Sequence, residues 1–158
     1  MIGPDTLTLS KHFTYLVGRE VKFTKAPPAP GSGQRWVYAS YDVIPANDPT
    51  ATKSLVIKAD LELLGALAGS LVGLPSEQVE LHLRNTPLEE LMRDAISEIL
   101  NVASGVIAPD CRVVLAGVAM NSNDVKGDAA HLLASPSLKV EFNVVVQGYN
   151  GGRFIVLG

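Results

Sequence analysis

Residues 87–107, which read PLEELMRDAISEILNVASGVI, carry the strongest secondary-structure signal in the chain. Apolar residues recur there every three or four positions, which is the spacing of an amphipathic helix with one buried face. The helix is predicted to span Pro87 to Ile107, because Thr86 suits the N-cap, proline suits the first helical position and Glu89 completes a capping box. Its predicted buried stripe consists of Leu88, Leu91, Met92, Ala95, Ile96, Ile99, Leu100, Ala103 and Val106.

The opposite face of this helix carries Asp94, Glu98 and Asn101. Their spacing of i, i+4 and i+7 places them on one stripe at about 3.6 residues per turn, so we expect them to be exposed together. The solvated face of any amphipathic helix has the same pattern, and periodicity does not separate the two interpretations. The amide of an asparagine both donates and accepts hydrogen bonds, so it is able to orient a water molecule. Glu98, one turn away, is placed to hold a cation of a partner.

The segments around this helix predict an α/β (α+β) fold. Further helices are predicted at 5–17 and at Asp60–Val72. Strands are predicted, by residue type and alternation, at 20–25, 35–44, 54–57, 112–120, 138–147 and 153–157. The last two strands form a predicted hairpin across Tyr149–Gly152. The expected architecture is a sheet with helices packed against it.

Composition narrows the class of protein. The chain has 158 residues, 47% of them apolar, which is enough for one core, and we expect a single domain over residues 1–158. The formal net charge is −3 and the basic residues are scattered, which argues against a nucleic-acid partner. No apolar run reaches the roughly 18 residues of a membrane span and the N-terminus does not read as a secretory signal, so the expected location is cytoplasmic.

The residue types that bind metals or form disulfides are few. Cys111 is the single cysteine, so no internal disulfide is possible. The histidines, His12, His82 and His131, are far apart and have no zinc-type spacing. We therefore expect no metal and no cofactor bound by this chain itself.

The two main helices resemble each other in sequence. Residues 61–69 (LELLGALAG) and 97–105 (SEILNVASG) repeat a glutamate, two aliphatic residues and a glycine in register, 36 positions apart. Amphipathic helices on one sheet converge readily on such a pattern, and a duplicated half-domain is the other explanation. Under duplication the informative difference is that the first helix has Gly65 where the second has Asn101.

The string DAISEILN, from Asp94 to Asn101, resembles the signature of the CheC/CheX/FliY chemotaxis phosphatases. That signature has Asp or Ser, three residues, Glu, two residues and then Asn. The order of segments from Ser54 to Ile107 is also similar to CheX-like members. The resemblance implies a CheC/CheX-like fold, with a mixed sheet and two long helices packed on one face. It also implies a hydrolase that removes the aspartyl phosphate of a CheY-like response regulator. It assigns Asn101 to orienting water and Glu98 to pairing with a regulator lysine, while Mg²⁺ is expected on the regulator.

The resemblance has departures and leaves alternatives. Gly65 replaces the Asn of a first motif, as in single-site CheX-like proteins, and Asp124 stands where the family motif has a proline 23 positions after its Asn. The resemblance also implies a possible homodimer, for which Arg153–Leu157 is considered as an exposed strand edge. A non-catalytic regulator-binding module of the same fold is the main alternative. A component of flagellar-switch or secretion assemblies is the third.

Overall fold

The computed structural model describes residues 4–26, 35–84, 88–108 and 110–158. Within them the helices are α1 (Thr6–Val17), α2 (Leu61–Val72), α3 (Ser76–Arg84), α4 (Glu90–Ala103) and α5 (Gly127–Ala134). The strands are β1 (Val21–Lys25), β2 (Trp36–Pro45), β3 (Lys53–Asp60), β4 (Cys111–Ala119), β5 (Lys139–Val146) and β6 (Gly152–Leu157). Short 3-10 helices at Pro49–Ala51 and Ser122–Asp124 lie between β2 and β3 and between β4 and α5, respectively.

The strands form one sheet in the order β1-β5-β6-β3-β2-β4. Each described strand pair is antiparallel, so the sheet that the sequence predicts as mixed has antiparallel pairing instead. The predicted hairpin of β5 and β6 is confirmed, with Phe142 opposite Phe154.

The position of β6 corrects one prediction. Residues 153–157 are a predicted candidate for an exposed edge, but β6 lies between β5 and β3, and the edge strands are β1 and β4. The reason is burial on both faces: Phe154, Ile155, Val156 and Leu157 are all buried. A strand with apolar side chains on both faces is favoured in the middle of a sheet, where helices cover both sides.

The helices divide between the two faces of the sheet. Alternate residues of β3 show the division, since Leu55, Ile57 and Ala59 belong to the core formed with α1 to α4, whereas Val56 belongs to a smaller cluster with α5. The predicted α+β class, with two long helices packed on one face, is confirmed by α2 and α4, which contact each other on that face.

The ends of α4 differ from the predicted Pro87–Ile107. Glu89 takes the N-cap position without a side-chain cap hydrogen bond, and its carboxylate lies 3.3 Å from His82 Nδ1 of α3. Thr86 and Pro87 lie outside the described residues, so the capping box of Thr86 and Glu89 stays a prediction. At the other end, the backbone N–H and hydroxyl of Ser104 both donate to the carbonyl of Asn101, which closes the helix early.

The sequence does not predict α3 and α5. Only Val79 and Leu83 of α3 are buried, and only Ala129 of α5. One or two buried residues among eight or nine are too few to give a recognisable helical period in the sequence.

Candidate functional site

The three polar residues singled out on α4 lie on one exposed stripe. Asp94, Glu98 and Asn101 are all exposed, as the sequence predicts. The opposite face buries most of the predicted apolar residues, namely Met92, Ala95, Ile96, Ile99, Leu100 and Ala103. Leu91 departs from that prediction, because it is 50% exposed. It adds an apolar side chain to the accessible surface of α4.

The polar side chains of the stripe form no hydrogen bond or ion pair with other described residues. This holds for the side chains of Asp94, Glu98 and Asn101 alike. Polar groups with a structural task are normally hydrogen-bonded to another part of the fold. The carboxylates and the amide are therefore free to contact a second molecule.

Asn101 lies in the last turn of α4 rather than in the middle of a helix. The carbonyl groups of a last turn have no partner within the helix. The Asn101 carbonyl accepts from Ser104, and its side-chain amide projects near a helix end. Asparagine costs little at such a position, so poor helix propensity is no separate argument for a functional role here.

Tyr41 of β2 anchors this end of α4. Its hydroxyl donates a 2.7 Å hydrogen bond to the carbonyl of Leu100, and the residue is 1% exposed. Burial raises the pKa of Tyr41 far above its ordinary value, so the hydroxyl stays protonated and is able to donate this hydrogen bond. The residue next to Asn101 is thus tied to the sheet, and no local sequence pattern signals this contact.

We expect Tyr41→Phe to lower the free energy of unfolding by about 1–2 kcal/mol, because it leaves the Leu100 carbonyl buried without its donor. Urea denaturation measures the effect. The matched control is Tyr15→Phe, since Tyr15 is 92% exposed and its variant is expected to unfold like the wild type. Equal stability of the Tyr41 and Tyr15 variants would contradict the anchoring role.

The equivalent position on α2 is buried. Gly65 lies under α3, where a Cβ atom would come within 2.7 Å of Leu83 Cδ1. Gly69, one turn later, contacts Val79 of α3 so closely that a Cβ would collide with the valine methyl. The two glycines let α3 pack directly on α2. The side of α2 that carries Gly65 is therefore covered, whereas the stripe on α4 is open.

The surface around the stripe carries a net negative charge. Glu90, Asp94 and Glu98 lie on α4 with Arg93 as the helix's basic residue. The C-terminal end of a helix carries partial negative charge, which adds to that of the carboxylates near Asn101. This surface favours a cationic group of a partner and disfavours a free phosphate ion.

Other candidate groups are not assembled into a site. Among residues 4–26, 35–84, 88–108 and 110–158, no three His, Cys, Asp or Glu side chains are grouped to hold a metal ion. Cys111 is half-buried beside the core, at the start of β4. Asp124 is exposed in the 3-10 helix before α5. The described helices include none long and apolar enough to cross a membrane.

Comparison with solved structures identifies the fold. The middle domain of FliM from Vibrio alginolyticus matches 97% of this chain and 87% of its own, with a TM-score of 0.61 and 10% identity. FliY from Thermotoga maritima matches 95% of this chain and 81% of its own, with a TM-score of 0.56 and 15% identity. The FliM middle domain from H. pylori matches 96% of this chain and 84% of its own, with a TM-score of 0.53 and 15% identity.

Comparison by sequence finds no match, in contrast to comparison by structure. No protein-family model matches the chain, and no curated protein matches it by sequence. The chain has the fold of the FliM middle domain and of FliY, so the CheC/CheX/FliY-like fold predicted from the α4 motif is confirmed.

Proposed function

We propose that this protein binds a phosphorylated CheY-like response regulator through α4 and hydrolyses its aspartyl phosphate. The observation that carries the proposal is the stripe of Asp94, Glu98 and Asn101, exposed together and without internal partners among the described residues. The stripe has the Glu-x-x-Asn spacing that resembles the signature of the phosphatase family, on a fold shared with FliY.

In the proposed reaction, the main task of this chain is to position a water molecule. An aspartyl phosphate is a reactive acyl phosphate, and the regulator supplies the metal ion and the groups that stabilise charge on the phosphoryl oxygens. The amide of Asn101 accepts a hydrogen bond from a water molecule and aligns its oxygen with the phosphorus. Tyr41 keeps the preceding residue in place, so the amide is presented from a fixed helix end.

Glu98 is assigned to recognition. Its carboxylate lies one turn before Asn101 and pairs with a lysine of the regulator, which is attracted by the anionic surface of α4. Asp94, one turn further back, extends the same stripe and supports docking. The exposed Leu91 adds apolar contact area on the same helix.

The proposal is tested by measuring phosphate release from a panel of phosphorylated response regulators of the same organism, with and without this protein. Acceleration for one regulator identifies the partner and supports the enzymatic function. If a folded sample binds a regulator but accelerates none, the enzymatic function is wrong. A regulator-binding module is then the better description.

We expect no hydrolysis of acetyl phosphate by this protein alone. The α4 surface is anionic and has no bound metal of its own in the proposed mechanism, so a small acyl phosphate is not held in front of Asn101. Malachite-green detection of phosphate measures the rate. A saturable, Asn101-dependent hydrolysis of acetyl phosphate would contradict the division of labour between the two proteins.

A non-catalytic regulator-binding module is the second candidate. Asp124 favours it, because this charged residue replaces the proline of the family motif and is exposed in the 3-10 helix before α5. The fold does not distinguish the phosphatase from the binding module, since it is shared with the FliM middle domain as well as with FliY. The two functions differ in whether binding is followed by phosphate release.

We propose that a homodimer forms through the sheet edge at β4 instead of through residues 153–157. Compared with β1, β4 is the longer edge, and Val114 and Val118 are exposed on it. An exposed apolar edge strand is prone to pair with a second chain. We expect light scattering to show a dimer that Val118→Lys weakens by about tenfold, whereas Val145→Lys, on the inner strand β5, has no such effect. A wild-type monomer at high micromolar concentration would contradict the proposal.

A further inference from the structure

A cleft of about 600 Å³ lies between α5 and the sheet face opposite α4. Its apolar lining comes from α5, the segment after it and β6, namely Ala130, Leu133, Ala134, Pro136, Ile155 and Leu157. Its polar lining consists of Tyr38, Lys58, Ser122 and Lys139. The volume is in the range of roughly 300–1,000 Å³ that is typical of small-molecule sites.

The register of the sheet explains why the lysines meet there. Tyr38 of β2 lies opposite Lys58 of β3, and Lys58 lies opposite Ile155 of β6. In the neighbouring row, Leu157 of β6 lies opposite Lys139 of β5. Residues paired directly across antiparallel strands project to the same face, so both ammonium groups lie on the face that α5 partly covers.

Positive charge exceeds negative charge around this cleft. Lys139 Nζ lies 3.3 Å from Glu141 Oε1, and Arg153 Nη1 lies 3.9 Å from the other oxygen, so one carboxylate is shared by two cations. Asp60 is nearby, but its carboxylate accepts from the Arg153 backbone N–H and burial raises its pKa. The carboxylates of Glu141 and Asp60 attract the Lys58 ammonium at a distance, but neither forms an ion pair with it.

Lys58 has aromatic contacts in place of a carboxylate. Its Nζ lies 4.6 Å from the centroid of the Trp36 ring and 6.0 Å from that of Tyr38, and none of the ion pairs between described residues includes it. Burial, and secondarily the positive charge of Lys139, lower the pKa of Lys58. An anion placed here would relieve that repulsion.

We propose that this cleft binds a small amphipathic anion, with a carboxylate head on Lys58 beside Lys139 and a hydrocarbon body against Leu133 and Leu157. The charge excess selects the head, and the apolar lining selects the body. The site lies on the other face of the sheet from α4, so it is distinct from the surface that is proposed to contact the regulator.

Decanoate, titrated into the whole protein, is the probe for this site. Calorimetry is expected to give a dissociation constant on the order of 1 mM or lower. Amide NMR shifts should be concentrated in the elements that line the cleft, namely α5 with its flanking segments and the facing parts of β2, β3, β5 and β6. Decanol and decyltrimethylammonium have the same chain without the anion, and each is expected to bind at least about tenfold more weakly. Equal binding of decanol, or shifts outside those elements, would overturn the proposal.

Substitutions locate the head group. Lys58→Gln is expected to weaken decanoate binding by about tenfold or more, and Lys58→Arg by no more than about threefold, since arginine keeps the charge. Lys53→Gln, at an exposed lysine on the same strand, is the matched control and is expected to change nothing.

A second variant guards against loss of the fold. Ser122→Glu, at an exposed lining residue, places a competing carboxylate by the cleft and is expected to weaken decanoate binding without lowering the melting temperature. Undiminished decanoate affinity in both Lys58→Gln and Ser122→Glu would overturn the proposal. Asn101→Ala is expected to bind decanoate normally, which separates this site from the α4 surface.

Discussion

Replacing Asn101 with alanine is expected to slow dephosphorylation of the regulator by about 100-fold or more, while its binding to the regulator changes by less than about threefold. The amide is the group that would align the water, and alanine has no hydrogen-bonding atom to replace it. The side chain is exposed and without internal partners in the described part of the chain, so stability should not change. Phosphate release and binding are measured on the same regulator samples.

Neighbouring substitutions show whether the loss belongs to the amide. Glu98→Ala is expected to weaken regulator binding by up to about fivefold, which corresponds to the roughly 1 kcal/mol upper range of a solvent-exposed ion pair. Ser97→Ala is the matched control, because Ser97 is exposed on the same helix but is not part of the motif. If Asn101→Ala releases phosphate at the wild-type rate, hydrolysis does not depend on this amide and the binding-module function is favoured.

Gly65→Asn is expected to lower the free energy of unfolding by about 3 kcal/mol and to create no second active surface. The side chain would overlap Leu83 of α3, and its amide would be buried without assured partners. Overpacking and an unsatisfied buried polar group each cost about 1–3 kcal/mol. Urea denaturation measures the stability, and phosphate release measures whether a second Glu-x-x-Asn sequence adds activity.

Gly105→Asn is the matched control for this substitution. Gly105 is exposed, and the nearest atom to an added Cβ is the Val102 carbonyl oxygen, at an ordinary contact distance of 3.5 Å. This variant should unfold within about 0.5 kcal/mol of the wild type. The double variant Gly65→Ala/Leu83→Ala is expected to lose less free energy of unfolding than the two single variants together. The smaller side chain at position 83 leaves room for the Cβ added at position 65. Additive costs, or a fully stable Gly65→Asn variant, would show that α3 does not cover this position.

The sequence determined those features that depend on neighbours along the chain. The 3.6-residue period of α4 assigns its buried face and places Asp94, Glu98 and Asn101 on the exposed one, because side chains three and four residues apart share a helix face. Alternation and turn residues likewise predict the β5–β6 hairpin. The fold class follows from these local patterns. The roles of Glu98 and Asn101 stay predictions, since they rest on a motif.

Contacts between segments that are distant in sequence are visible only in the folded chain. The inner position of β6, the cover of α3 over Gly65 and the bond from Tyr41 to Leu100 join residues far apart in sequence. The cleft beside Lys58 and Lys139 likewise requires the register of strands that are not consecutive. These contacts depend on packing and pairing between distant segments, which local periodicity does not encode. Local sequence patterns therefore predict which faces are buried, and tertiary packing determines which element each face contacts.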